Sequence, residues 1–241
     1  MRLSLHISLP KKYLCSVMQI LFDKEIIEAA PELTELLIEA DVVNGPTSDA
    51  LWHLIEEESH AIAARYPMAE IRLRPAIDAT RRVYKALGKE PNRYRPSAEA
   101  LCRRAVKRME LYRTLTIIDL INLVSMRTGV SIGGFDADSI DGDVLTLGVG
   151  REGEPYDAIG RGQLNIAGLP VFRDATGGIG TPTSDNERTK LSETTRRIVM
   201  TVNIYGEGEF SVEETEEMIR TLLVRHASSE HIKSTIIKTR P

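Results

Sequence analysis

The chain is short of the groups that usually announce a chemistry. Its 241 residues include two cysteines, Cys15 and Cys102, far apart and outside any Cys-x-x-Cys pair, so neither a disulfide framework nor a zinc ribbon is expected. No run reaches the roughly 18 apolar residues that a membrane-spanning helix needs. Arg2 stands near the start, but the apolar stretch behind it is broken by His6 and Pro10 and followed by Lys11-Lys12, a poor signal peptide. The default expectation is a cytoplasmic protein with no membrane partner. The five histidines stand at 6, 53, 60, 226 and 231, none of them in the glycine-rich stretch 130–205, so a Ser or Cys nucleophile there finds no base in the surrounding sequence. Thr176-Gly-Gly-Ile-Gly180 lacks both the Lys-Ser/Thr of a P-loop and the G-x-G-x-x-G order. It reads as a turn, or as a close backbone approach. Glu57-x-x-His60, with His53 one turn before it, could ligate a metal, but a dinuclear site needs a second such helix and none is visible. A solvated acidic face is the simpler reading, and no metal or cofactor is expected. There are no repeats and no low-complexity tracts.

What is present is ordinary in bulk and uneven in place. Hydrophobic content of 42% and charged content of 27% are those of a globular protein long enough to bury a core. A net charge of −4 argues against nonspecific nucleic-acid binding. Yet residues 65–113 hold 14 Lys/Arg against 5 Asp/Glu, so a basic segment sits on an acidic protein. Such a segment can dock a polyanion locally, or it can be a set of solvated helix faces.

From Met18 the sequence reads as a short strand and then a helix. Leu33 to Val43 reads as a strand, stopped by Asn44-Gly45-Pro46. Ser48 or Asp49 can cap a helix to about Arg65, with Leu51, Leu54, Ile55 and Ile62 on one face. Pro75 suits the first turn of another helix, which Gly88 ends. Ser97 is expected to cap a helix carrying Arg103, Arg104, Lys107 and Arg108, and Gly129 to end the next. The second half turns to strands, at 144–149, 169–172 and 198–205. The capping box Ser211-Val-Glu-Glu214 then opens a helix, and 231–238 reads as a last strand. Helices first and strands later, without βαβ alternation, argue α+β.

The helix TIIDLINLVSMRTG, from 116 to 129, is apolar nearly all round except for Asp119, Asn122 and Ser125. Three-residue steps place these on one slanting stripe. Buried polar groups need partners, so the stripe must meet backbone, other side chains or a ligand. Downstream, SDNERTKLSETTRRIV (184–199) gathers Arg188, Lys190, Arg196 and Arg197, cations able to hold phosphate or carboxylate. A salt-bridged exposed loop is the alternative.

TIIDLINLVSMRTGVSIGGFD resembles the N-V-V-D-I-T-N-Y-V-x-x-E-x-G-x-P-x-H-x-F-D stretch of the B3/B4 module in the phenylalanyl-tRNA synthetase β subunit. Asp119, Asn122, Gly129, Phe135 and Asp136 fall on the pattern. The likeness is closer to free-standing B3/B4-domain proteins. Their segments look like P-x-x-x-R-P-S-S-E-A-L-x-R-R, L-V-D-x-Y-N-x-V-S-L-R-T-G and S-x-R-T-K-V-T-E-E-T-R. The corresponding segments here are NRYRPSAEALCRR, TIIDLINLVSMRTG and NERTKLSETTR, in order over residues 91–205.

The resemblance implies an α+β, three-layer fold with a β-sandwich-like core and helices concentrated in the N-terminal half. It implies one domain over 18–241 behind a loosely attached extension at 1–17. It also implies a pocket that hydrolyses mischarged aminoacyl-tRNA in trans. By position, the substrate-binding residues would be Arg95, Ser97, Glu99, Asn122, Arg127, Arg188 and Thr189. Arg127 or Arg188 would hold a terminal phosphate or a substrate side chain. Backbone donors for an oxyanion would come from Gly133, Gly134 and Gly178, and no catalytic side chain is named. The partners implied are tRNA, met at its acceptor end by the basic segment 65–113, and an aminoacyl-tRNA synthetase. Two positions depart from the synthetase pattern: Gly133 stands where the module has His, and Gln163 where it has Glu. The alternative is therefore a non-catalytic module that binds tRNA or an amino acid, or associates with a synthetase.

Overall fold

A computed structural model describes residues 18–239, so the expected extension at 1–17 lies outside the described residues. In chain order the first half runs β1 (Gln19–Phe22), α1 (Lys24–Ala29), β2 (Thr34–Asp41), α2 (Asp49–Arg65), α3 (Pro75–Ala86), α4 (Ser97–Val106) and α5 (Thr116–Thr128). The second half runs β3 (Ile132–Asp136), β4 (Val144–Val149), β5 (Asp157–Ala158), β6 (Gly162–Gln163), β7 (Pro170–Arg173), β8 (Gly178–Gly180), β9 (Arg197–Ile204), α6 (Val212–Ala227) and β10 (Ile232–Lys238). One sheet has the order β10-β2-β9-β3, antiparallel throughout. The other has the order β1-β4-β7-β8, in which β1 runs parallel to β4. β5 and β6 form a small separate ribbon.

Successive side chains of a strand leave opposite faces, and here both faces are apolar. Leu36, Ile38 and Ala40 of β2, with Ile198, Met200 and Val202 of β9, pack against α2, α4, α5 and α6. Leu37, Val199 and Phe135 point the other way, onto Leu145, Leu147 and Phe172 of the second sheet. The result is a helical layer, a central sheet and an outer sheet: an α+β fold of three layers with a sandwich core. Five of the six helices precede Gly129. The face between the sheets also buries an ionisable group. Glu35 of β2 is fully covered, and its two oxygens make no well-formed hydrogen bond.

The helix ends follow their local chemistry. Ser48 Oγ accepts from the Leu51 N–H at 3.3 Å, Ser211 and Glu214 close a capping box, and Gly129 ends α5 at φ 76°. Ser97 is a correction. It is the first residue of α4 rather than its cap, and the cap position is Pro96, whose side chain makes no capping bond. Instead the Ser97 N–H donates to the Pro182 carbonyl at 2.8 Å, and the Ala98 N–H donates to Ser131 Oγ at 3.3 Å. The otherwise unpaired donors of the helix start are thus used to fix α4 to a distant loop.

Candidate functional site

The polar stripe of α5 divides. Asp119 is an anchor: it accepts from Thr47 Oγ1 at 2.5 Å, from the Thr114 N–H at 2.9 Å and from Thr114 Oγ1 at 2.8 Å. Asn122 and Ser125, further along, open on a cavity of about 340 Å³. The Asn122 amide has no hydrogen-bond partner among the described residues. Ile118, Ile121, Ile132, Ile159 and Leu191 give the cavity its aliphatic wall. Its polar groups are Ser97 from α4, Gly134 from β3, Thr181, Ser184 and Asp185 from the loop that holds α4, and Arg161 and Lys190.

Asp185 was not singled out in the sequence. Its carboxylate accepts from the Gly134 N–H at 3.2 Å and forms no ion pair among the described residues. Burial pushes its carboxyl up to about 7, against the lowering effect of that N–H. The Gly134 N–H is therefore already engaged. Gly134 is needed for a close approach, since an added Cβ would stand 2.4 Å from Ile121 Cδ1.

Gly133 leaves β3 on the opposite face. A Cβ there would lie 2.7 Å from Thr201 Oγ1 and 2.8 Å from Phe135 Cζ, so the position at which this sequence departs from the synthetase pattern has no room for a side chain unless its neighbours shift. Behind Asp185 and Thr181, on that same face, lies a space of about 10 Å³, close to what one water needs. Thr201 Oγ1 and Asn203 Oδ1 are buried there without partners.

The remaining sequence-derived residues lie elsewhere. Glu99 is buried and holds Arg81 at 2.7 Å, Arg95 at 3.3 Å and Arg103 at 3.9 Å. Arg127 pairs with Glu58 at 2.9 Å beside the Arg74–Glu209 pair. Arg188 makes a two-pronged contact with Asp174, at 2.9 and 2.7 Å. Burial alone would raise the Asp174 carboxyl, but Arg188 and the N–H groups of Asp141, Gly177 and Thr176 hold it below the usual range. Thr189 is fully buried with its hydroxyl unpartnered. Gly178 packs under the Tyr156 ring, and Gln163 is exposed on β6. Of the seven side chains, Ser97 and Asn122 share the cavity. Of the three glycines, Gly134 does.

The basic segment is also partly internal. Arg74, Arg81 and Lys89 are buried, on Glu209, on Glu99 and on the carbonyls of Asn165 and Ala167 respectively. Among the described residues no helix is long and apolar enough to cross a membrane, and no group of three His, Cys, Asp or Glu residues could hold a metal ion.

No curated protein matches the sequence. Among solved structures, an N-terminal fragment of the phenylalanyl-tRNA synthetase β subunit from Pyrococcus horikoshii matches with 13% identity and a TM-score of 0.45. The match covers 89% of this chain and 50% of that one, so the chain spans about half the length of that fragment. The family model described as the B3/4 domain matches residues 79–222, from within α3 to within α6. That span takes in the helix with the polar stripe, the cavity-lining strand β3 and the loop carrying Asp185, and the chain belongs to the B3/4 domain family.

Proposed function

We propose that the protein is a trans-acting aminoacyl-tRNA deacylase working in the Asn122 cavity. The observation that carries this reading is convergence. Ser97 and Asn122, from two separate motifs, meet Lys190 of a third in one cavity, where the Asn122 amide has no partner among the described residues. An aminoacyl ester is already activated, so its hydrolysis needs an oriented water and donors for the developing oxyanion, not a Ser or Cys nucleophile. The Asn122 amide N–H and the hydroxyls of Ser97, Ser125 and Ser184 are the groups available for both tasks. Arg161, exposed at the cavity with no ion pair among the described residues, suits the terminal phosphate of a tRNA. The exposed cations of 65–113, Arg72, Arg82, Lys85, Lys107 and Arg108 among them, suit the backbone of its acceptor arm.

The crowding at Gly133 favours a second reading, a non-catalytic module that binds tRNA or an amino acid. A panel of correctly and incorrectly charged tRNAs decides between them. Selective release from a mischarged species, lost in Asn122→Ala, is expected for the deacylase. Release no faster than the spontaneous rate across the panel leaves the binding module.

A further inference from the structure

The buried carboxylates of this protein are, with few exceptions, matched. Asp119 accepts three hydrogen bonds, Glu99 faces three arginines, and Asp174 holds Arg188. Asp185 is different. It has one backbone donor and no cation among the described residues, and it lies between the larger cavity and the small buried space behind it. The other ionisable groups around it do not neutralise it. Tyr156 carries no positive charge, and its hydroxyl donates to the Ser184 carbonyl at 2.8 Å. Lys190 directs its ammonium to Glu187 at 2.6 Å, and Arg161 lines the same cavity with no ion pair among the described residues. Among the described residues, the cavity lining thus holds a carboxylate and a guanidinium without an ion-pair partner, alongside aliphatic side chains. A ligand that complements it carries an ammonium group for the one and an anionic group for the other.

We propose that Asp185 is the counter-ion of the free α-ammonium group of the bound aminoacyl ester, so that the cavity accepts aminoacyl groups with an unblocked amine and rejects acylated ones. This rests on the deacylase reading for the identity of the ester, but not for the amine. Charge-assisted pairing in a site shielded from water is among the stronger polar contacts available, and leaving the carboxylate with a neutral amide in its place forfeits it. The carboxyl's elevated proton affinity agrees with a group waiting for a cation. Asp185→Asn keeps an acceptor for the Gly134 N–H and removes the charge, so it tests the pairing with the fold left in place.

Two measurements separate this proposal from the reading beneath it. The first is calorimetric binding of a non-hydrolysable 3′-aminoacylamido-adenosine, with its amine free and with its amine acetylated. Wild-type protein is expected to bind the free amine at least about tenfold more tightly, a difference of about 1.4 kcal/mol. Asp185→Asn, with its melting temperature checked, is expected to bind the two alike. The second is deacylation of the same aminoacyl-tRNA with free and acetylated amine. Here KM is expected to rise on acetylation in the wild type and not in the variant. Equal affinity of the wild type for both analogues, or no binding of either, overturns the proposal. So does a variant that loses kcat equally on both substrates at unchanged KM, because that marks Asp185 as a general base. Discrimination in binding without any turnover upholds the amine site and removes the deacylase. Turnover indifferent to acetylation does the reverse.

Discussion

The α3–α4 side of the molecule and the β3 edge treat buried charge in opposite ways. Beneath α3 and α4, Glu99 meets Arg81, Arg95 and Arg103, and the nearby Arg74 meets Glu209 and the carbonyls of Met126 and Arg127. Along the edge of the central sheet and between the sheets, Asp185 has no cation among the described residues. Glu35, Thr201, Asn203 and Tyr205 there bury polar atoms with no partner among those residues. The same residue types therefore do two jobs. Matched charges fix helices to one another. Unmatched groups each cost about 1–3 kcal/mol and are complete only when water or a ligand reaches them.

That contrast can be broken at several points, taken here in order of expected effect on stability. Glu99→Ala leaves Arg81 buried without its counter-charge, and a loss of about 3–5 kcal/mol is expected in chemical denaturation. A loss under about 1 kcal/mol would show that the arginine cluster does not hold α4. Asp185→Asn should act in the other direction. The folded-state carboxyl titrates near 7, well above its ordinary 3.8, so between these values the folded protein keeps a proton that the unfolded chain releases. Wild-type stability from this group is full below pH 4 and falls as pH rises toward 7. The variant should exceed the wild type by on the order of 1–3 kcal/mol at pH 8 and match it near pH 4. Urea midpoints across that range read the effect, and a variant less stable at pH 8 would contradict it. Buried Glu35, raised well above its ordinary value by burial, tilts the pH dependence the same way.

Smaller effects sharpen the boundary. Arg188→Ala uncovers Asp174 and should cost about 1–2 kcal/mol while leaving KM for aminoacyl-tRNA unchanged, since Arg188 does not line the cavity. A raised KM at unchanged stability would instead return Arg188 to the substrate. Asn122→Ala should shift stability by less than about 0.5 kcal/mol, as its amide bonds to nothing in the described residues. Its expected signature is kinetic, a fall in deacylation of about 100-fold, the scale for losing one oxyanion donor. Unfolding of this variant would mean that the amide has a structural partner after all.

How much of this could be read from the sequence depends on distance along the chain. Strands, turns and caps depend on neighbouring residues, and β4 falls on its expected 144–149. The stripe on α5 was visible for the same reason, but its division was not. Asp119 takes its partners from Thr114, just before the helix, and from Thr47, some seventy residues earlier, while nothing local marks Asn122 as the one facing a cavity. Arg188 looked like a ligand-holding cation because Asp174 lies fourteen residues away, in a segment with no local sign of pairing. Asp185 stood inside a stretch read for its cations. Arg188 and Lys190 follow three and five residues later, and only the fold shows that they pair with Asp174 and Glu187 instead. The charge count over 65–113 overstated the surface because Arg74, Arg81 and Lys89 are internal.

Glu35 also bears on how the protein is made. β2 is synthesised by residue 41, yet its partners β9 and β10 begin at Arg197 and Ile232. At ribosomal speed the strand waits roughly 8–30 s for its first neighbour, with Leu36, Leu37 and Ile38 uncovered. During that wait Glu35 is a hydrated carboxylate beside an apolar run, the kind of residue that keeps nascent strands from pairing with one another. Glu35→Leu is accordingly expected to give a more stable finished protein and a lower soluble yield. A residue that weakens the completed sandwich protects the chain while the sandwich is still one strand.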